Sequence, residues 1–329
     1  MNIREIRIII PLFKKLFLNL FIKKIKLIVI ILIAFVFTTK AQDALFTNTQ
    51  QSLLYLNPSF AGSNGFIRHQ SVFRNQWPNL SGSYVTFYNG FDMYIKKLKG
   101  GLGLTYLKDD QANGTLVTDR IDLTYAQHFS FMEGNLKIIP SLQATYFQKH
   151  LDNTKLIFGS QIDPRRGFGW VQTEPIPYQT KRNVDFSSGI LVNYKHFYFG
   201  TSVFHINQPD EGLLGSSKLP VRLSMFASGY IPIGEKSLLN ILIRYERQIP
   251  FYYYQLCANV LLYKHLIIGY GYKTNNCLHG NIGFRHNYFS IIASYARYLD
   301  FGNYAYELTA SFNLRNKEQS KQLVDFEKW

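Results

Sequence analysis

The last clear segment of the chain, Tyr304 to Leu314 (YAYELTASFNL), divides into two faces when taken two residues at a time. Tyr304, Tyr306, Leu308, Ala310, Phe312 and Leu314 fall on one side; Ala305, Glu307, Thr309, Ser311 and Asn313 fall on the other. That is the alternation of a β-strand. The apolar side runs the full eleven residues, with aromatics toward both ends. A strand that crosses an outer membrane needs this profile: about 9–11 tilted residues, an apolar outer face and aromatics at both interfaces. A half-buried strand of a soluble sandwich alternates in the same way, so the other segments must decide.

Thirteen further segments rich in Tyr, Phe, Leu, Ile, Val and Thr precede it. They lie near 66–74, 83–94, 101–108, 115–130, 135–149, 184–194, 196–205, 220–231, 238–247, 250–262, 264–273, 278–286 and 288–298. Ile121, Leu123, Tyr125 and Phe129 oppose Asp122, Thr124, Ala126 and His128; Val184, Phe186, Ile190 and Val192 oppose Asp185, Ser187 and Asn193. In 135–149 the alternation has one exception, Ile139, which falls on the polar side. Segments 250–262 and 288–298 alternate poorly.

The connections discriminate better than the strands. Every second joint is short: KKLKGG, FMEGN, the Tyr194–His196 corner, PIGEKS, Tyr263-Lys264 and His286-Asn287. The intervening joints include 108–115, 150–183, 206–219 and 298–304 and are generally longer, with RQIPF and TNNC as exceptions. Transmembrane barrels sort their connections in this way, with tight periplasmic turns and longer outer loops. A soluble sandwich has no reason to do so. The expected fold class is therefore all-β: a transmembrane antiparallel β-barrel of the outer membrane with about 14 strands.

Charge is read after setting the N-terminus apart. Lys23, Lys24 and Lys26 precede an apolar run, Leu27–Phe37, followed by Thr39-Lys40-Ala41. This is a basic region, an apolar core too short to span as a helix, and a small-x-small cleavage site. Residues 1–41 are thus expected to be a cleaved signal peptide and the product to reach the outer membrane. They carry eight Lys/Arg and one Glu, so the net charge of +15 falls to +8 without them. No basic stripe interleaved with aromatics remains, and nucleic acid is excluded as a partner. The low charged fraction, 17% against 16% aromatics, suits a wall that is part lipid-facing. Residues 42–65 are polar and turn-like with no sustained period, and read as a periplasmic segment before the barrel; 66–314 form the barrel and 315–329 a periplasmic tail.

No motif carries catalysis. The eight histidines show no H-E-x-x-H or clustered ligand spacing, and no serine sits in G-x-S-x-G. No enzyme activity, cofactor or metal site is expected. The glycines of Gly100-Gly101-Leu102-Gly103 and Gly269-Tyr270-Gly271 precede no helix and read as turn and strand glycines. Cys257 and Cys277 leave both a disulfide and two free thiols open. Asp92, Asp122, Arg244, Glu246 and Glu307 are candidate lumen charges, serving either as a structural network or as a pore lining. Arg165-Arg166 in the long loop are candidates for lipopolysaccharide phosphates or an acidic cargo, beside a plain solvated loop.

Several stretches, taken together and in order, resemble one family. They are QDALFTNTQ…YLNPSFAGS from Gln42, FRNQWP at Phe73–Pro78, GGLGL at Gly100–Leu104, HLDNTKLIFGSQID at 150–163, VDFSSGILVNYKHFYFGTSVFHINQPDEG at 184–212 and LPVRLSMFASGYIPI at 219–233. The chain resembles the PorP/SprF family of outer-membrane proteins over nearly its whole mature length. The resemblance implies a fourteen-stranded barrel serving the type IX secretion system of Bacteroidota. It also implies secretion and surface attachment of particular cargo, often large adhesins, and gliding in species that glide. The implied partners are type IX components, cargo with C-terminal sorting domains, a periplasmic anchoring protein or lipoprotein, and outer-membrane lipid. The shared motifs map onto Asn57, Pro58, Ala61 and Gly62 before the barrel and onto Arg74, Gln76, Trp77 and Pro78 at the first loop. Each is a candidate for partner docking, with a turn initiator at Asn57-Pro58 and a rigid corner at Trp77-Pro78 as the structural alternatives. An outer-membrane channel for a small or apolar solute is the second functional expectation. A soluble periplasmic binding module is the third.

Overall fold

The computed structural model describes residues 43–314 except 66, 158–160, 164, 166, 169–178, 214 and 301. The expected signal peptide and tail lie outside these residues. Fourteen antiparallel strands form the wall: β1 (Ile67–Gln76), β2 (Tyr84–Ile95), β3 (Gly100–Gln111), β4 (Leu116–Gln127), β5 (Leu136–Leu151), β6 (Gln179–Tyr194), β7 (Phe197–Phe204), β8 (Arg222–Pro232), β9 (Leu238–Gln248), β10 (Phe251–Leu262), β11 (Leu266–Lys273), β12 (Cys277–Arg285), β13 (Phe289–Tyr298) and β14 (Tyr304–Leu314). Each pairs with its sequence neighbour, and β1 pairs with β14 from Ile67↔Leu314 to Gln76↔Ala305. The sheet is closed, so every wall strand has two neighbours and no backbone edge faces lipid.

The pleat sends the two faces of each strand to opposite solvents. On β14, Tyr306, Leu308, Phe312 and Leu314 are 40–51% exposed, whereas Ala305, Glu307, Thr309 and Ser311 are 0–7% exposed. The polar face is the buried one, the inverse of a soluble sheet and the arrangement that lipid imposes. β1 starts and β14 ends on the rim that carries the short turns, called here the turn rim; the longer connections lie on the loop rim.

Two strands depart from expectation. β6 begins at Gln179 rather than near 184, because β5 and β6 continue pairing past the wall as far as Leu151↔Gln179. The fourth strand breaks after Gln127 and resumes as Phe129–Phe131 against Ile138–Leu136. The gap faces Pro140, which has no N–H to donate, and the His128 ring there turns inward to within 2.9 Å of the Ala61 carbonyl.

The stretch assigned to a periplasmic segment lies instead inside the barrel. Residues 46–50 and 52–65 are buried, and the stretch holds only short turns, Thr49–Gln51, Leu53–Leu56 and Pro58–Phe60. It lacked a period because walls surround it on every side, so no solvent face was needed. We call it the plug. Cys257 and Cys277 are free and buried, and Cys277 is the first residue of β12 rather than part of a turn.

Candidate functional site: the plugged lumen

The plug is fastened to the wall by three kinds of contact. The first is an apolar core within the lumen. Leu53, Leu54, Leu56 and Phe60 pack against inward-facing Ile139, Leu191, Phe226 and Leu242 on β5, β6, β8 and β9. Phe60 stacks on Phe226 at 5.6 Å between ring centroids. Ile139 was the exception on its polar face, and here it has its partners. Burying a large apolar side chain contributes roughly 1.5–3 kcal/mol, so this cluster is a substantial anchor. A second cluster joins Phe46 and Tyr55 to Val72, Tyr88 and Leu107.

The second kind is backbone recognition at close approach. Asn57 donates its side-chain amide to the carbonyls of Ile190 (3.2 Å) and Thr201 (3.0 Å), which face each other across β6 and β7. Its Oδ1 accepts from Ser59 N at 2.8 Å, setting the turn that Pro58 begins. Gly62 has φ +65° and gives its N–H to Asp92 at 2.8 Å. A Cβ on Gly101 would lie 2.0 Å from the Ala61 oxygen, so the motif GGLGL leaves the room in which the plug lies.

The third kind is charge. All five candidate lumen charges face inward and all are ion-paired. Asp92 meets Arg68 at 2.8 Å and Asp122 meets Arg120 at 2.8 Å; Arg244 contacts Glu246, and Glu307 meets Arg74 at 3.4 Å. Glu307 also accepts from the plug amides of Thr47 (2.8 Å) and Asn48 (3.3 Å). Arg74 further donates to Tyr298 at 2.8 Å and contacts the Thr47 hydroxyl.

At the loop end of the lumen lies a cluster that no sequence motif marks. His205, fully buried just after β7, has Nδ1 2.6 Å from Asp185 and Nε2 2.7 Å from Asp43. Asp43 also lies 3.2 Å from Nε of Arg222. The Arg222 guanidinium is sandwiched between Phe204 of the wall (4.0 Å) and Tyr55 of the plug (4.6 Å). Asp43, Asp185, His205 and Arg222 come from three of the stretches that carried the family resemblance. Only the folded register brings them together.

The partner-docking candidates divide accordingly. Asn57, Pro58, Ala61 and Gly62 are buried in the lumen, within the plug. Arg74 is buried as well. Gln76, Trp77 and Pro78 are half-buried at the loop rim, where Trp77 packs edge-on against Tyr84 (5.4 Å) and Tyr298 (5.9 Å). Arg165 is exposed; Arg166 lies outside the described residues. Among the described residues no group of His, Cys, Asp or Glu is arranged to hold a metal ion.

A closed barrel with an apolar outer wall, a charge-paired lumen and an internal plug defines an outer-membrane β-barrel protein. The chain matches the family model described as type IX secretion system membrane protein PorP/SprF over residues 38–326, and it belongs to that family. None of the curated proteins matches it. Among solved structures it is similar to the Ralstonia pickettii toluene transporter TbuX, with 11% identity, 80% of this chain and 94% of that one covered, and a TM-score of 0.52. The Pseudomonas putida toluene transporter TodX gives 9% identity, 83% and 94% coverage and a TM-score of 0.44. The first likeness bears out the barrel fold and speaks to nothing finer.

Proposed function

We propose that this chain is a non-enzymatic accessory of type IX secretion, which assists export and surface attachment of particular cargo and tethers machinery at the outer membrane. Family membership supports a role within that system. The observation that carries the accessory reading over a solute channel is the filled lumen. A stretch of the chain runs through it, fixed by an apolar core, by Asn57 on two strand carbonyls and by Glu307 on two plug amides. A barrel so filled offers its rims and loops as working surfaces. The partners in this reading are type IX components, cargo with C-terminal sorting domains and a periplasmic anchoring protein or lipoprotein, with cleavage after Ala41 preceding insertion.

The test compares the surface and medium proteome of a strain lacking the chain with its parent. Selective loss of one or a few proteins with sorting C-termini, restored by complementation, is the expected result. An unchanged proteome with altered uptake of a solute would overturn the reading in favour of a channel.

A further inference from the structure

The plug is not held alike on its two sides. Toward β5–β9 it meets the apolar core, where Ser59 finds Ser141 at 2.9 Å and Ser202 the Leu56 carbonyl at 3.2 Å, while Ser187 Oγ on β6 is buried without a protein partner. Toward β12–β14 the inward side chains include Asn281, Ser290, Ser294, Thr309 and Ser311. There Asn281 Oδ1, Ser294 Oγ, Thr309 Oγ1 and Ser311 Oγ are buried with no protein partner, as are Thr49 Oγ1 and Ser52 Oγ of the plug. All six residues are at most 7% exposed. A buried polar group left unmet keeps its full desolvation cost, which makes a run of adjacent orphans untenable in a dry interior.

The same side carries a cleft. It holds about 70 Å³ of room for water, and Gln50 and Gln51 of the plug line it together with Gln70, Asn259, Ser290 and Ser311 of the wall. Ser290 and Asn313, near the ends of β13 and β14, place its mouth at the turn rim. The orphaned groups continue upward from it. Ser311 pairs in register with Ser290, Thr309 with Ile292, and Ser294 with both Asn281 and Glu307. Glu307 closes the row, with its carboxylate held by Arg74 and two plug amides.

We propose that the plug is wetted along β12–β14, by a blind aqueous passage entered from the turn rim and sealed beneath the Arg74–Glu307 pair. Its occupants are water and small neutral solutes bearing hydroxyl or amide groups. The lining suits that chemistry: Gln, Asn and Ser side chains face the cleft, Ser311 Oγ has no protein partner, and the Arg68 guanidinium is taken by Asp92. The passage leaves the accessory reading untouched. It makes the lumen reachable from the periplasmic side without opening it to the outside.

The test uses the full chain with Cys257→Ala and Cys277→Ala, carrying Ser311→Cys, Ser294→Cys or, as the dry-side control, Leu191→Cys. Each is reacted with a small methanethiosulfonate reagent and with a bulky maleimide, and the heat-dependent gel shift reports that the barrel is folded. The small reagent is expected to modify positions 311 and 294 more than about tenfold faster than 191, with the bulky reagent excluded at 294. Equal protection at all three positions would overturn the proposal. So would equal reaction at all three, which would mean a plug loose on every side. Hydroxyl-radical footprinting of the unsubstituted chain asks the same question without variants. Buried Ile292, on the cleft, is expected to be oxidised and buried Leu191 spared; equal oxidation of the two would overturn the passage.

Discussion

His205 shows how much one side chain decides in this lumen. It stands fully buried between the Asp43 and Asp185 carboxylates, and its removal takes the ring from Asp185 and leaves Asp43 to Arg222 alone. Breaking a buried charge pair by deleting one partner typically costs about 3–5 kcal/mol. His205→Ala is therefore expected to free the start of the plug while the barrel stays folded. Limited proteolysis should cut near 43–51 with the heat-resistant gel mobility retained; an uncut plug would show that Arg222 alone holds Asp43. Asp210, on the loop beyond β7, supplies a pH test. The backbone N–H groups of Ser217 (2.7 Å) and Gly212 (3.0 Å) hold its carboxyl below the usual carboxylate range, helped by Lys181. The folded value is depressed, so the ordering it gives the loop is present above the ordinary value of about 3.9 and is lost as pH falls through the folded one. Amide exchange at Gly212 and Ser217 should accelerate in that acid window, and Asp210→Asn should remove the pH dependence. At this scale the sequence showed that Asp92, Asp122, Glu246 and Glu307 face inward, since parity along a strand settles the face. It did not show their partners, because Glu307 reaches Arg74 only through the β1–β14 register.

Among the elements, the plug was the one that escaped sequence reading. Its longest regular piece is the four-residue helix Leu53–Leu56, too short to display a period. The legible signal lay in the wall. Ile139, Leu191, Phe226 and Leu242 are apolar residues on otherwise polar faces, and such residues on nearby strands imply something apolar inside. Only Ile139 was picked out in the sequence, although Leu191, Phe226 and Leu242 carry the same signal, each an aliphatic or phenyl side chain flanked on its own face by polar-bearing residues or glycine. Phe60→Ala removes the ring stacked on Phe226, and deletions of buried aromatics cost about 3–5 kcal/mol. Hydrogen exchange of plug amides is expected to quicken while wall amides stay protected. Matching acceleration in β8 would mean that plug and wall unfold as one unit.

For the whole molecule the reading held well, because membrane barrels repeat one rule. Outward apolar and inward polar faces, with connections sorted by parity, announced fourteen strands, and the structure has fourteen in the wall. What repetition does not encode is the content of the ring, which depends on packing shapes rather than on period. A fourteen-strand wall is wide enough to enclose a path. Deleting residues 43–65 is accordingly expected to turn a nearly silent barrel into a conducting one in planar bilayers. Unchanged conductance would show that the loops close the lumen without the plug.

The plug begins at the loop rim beside His205 and Arg222 and joins β1 at the turn rim, so its two ends lie at opposite mouths of a ring joined between its first and last strands. That geometry constrains the order of biogenesis. The contacts of Thr47 and Asn48 with Glu307 link residues 260 and 259 positions apart, and they span the same seam that the final strand pairing closes. A plug arriving after that seam had zipped would have to thread a finished tube from one mouth to the other. Filling therefore precedes or accompanies closure, and the earliest-made part of the barrel waits inside for the last strand to arrive.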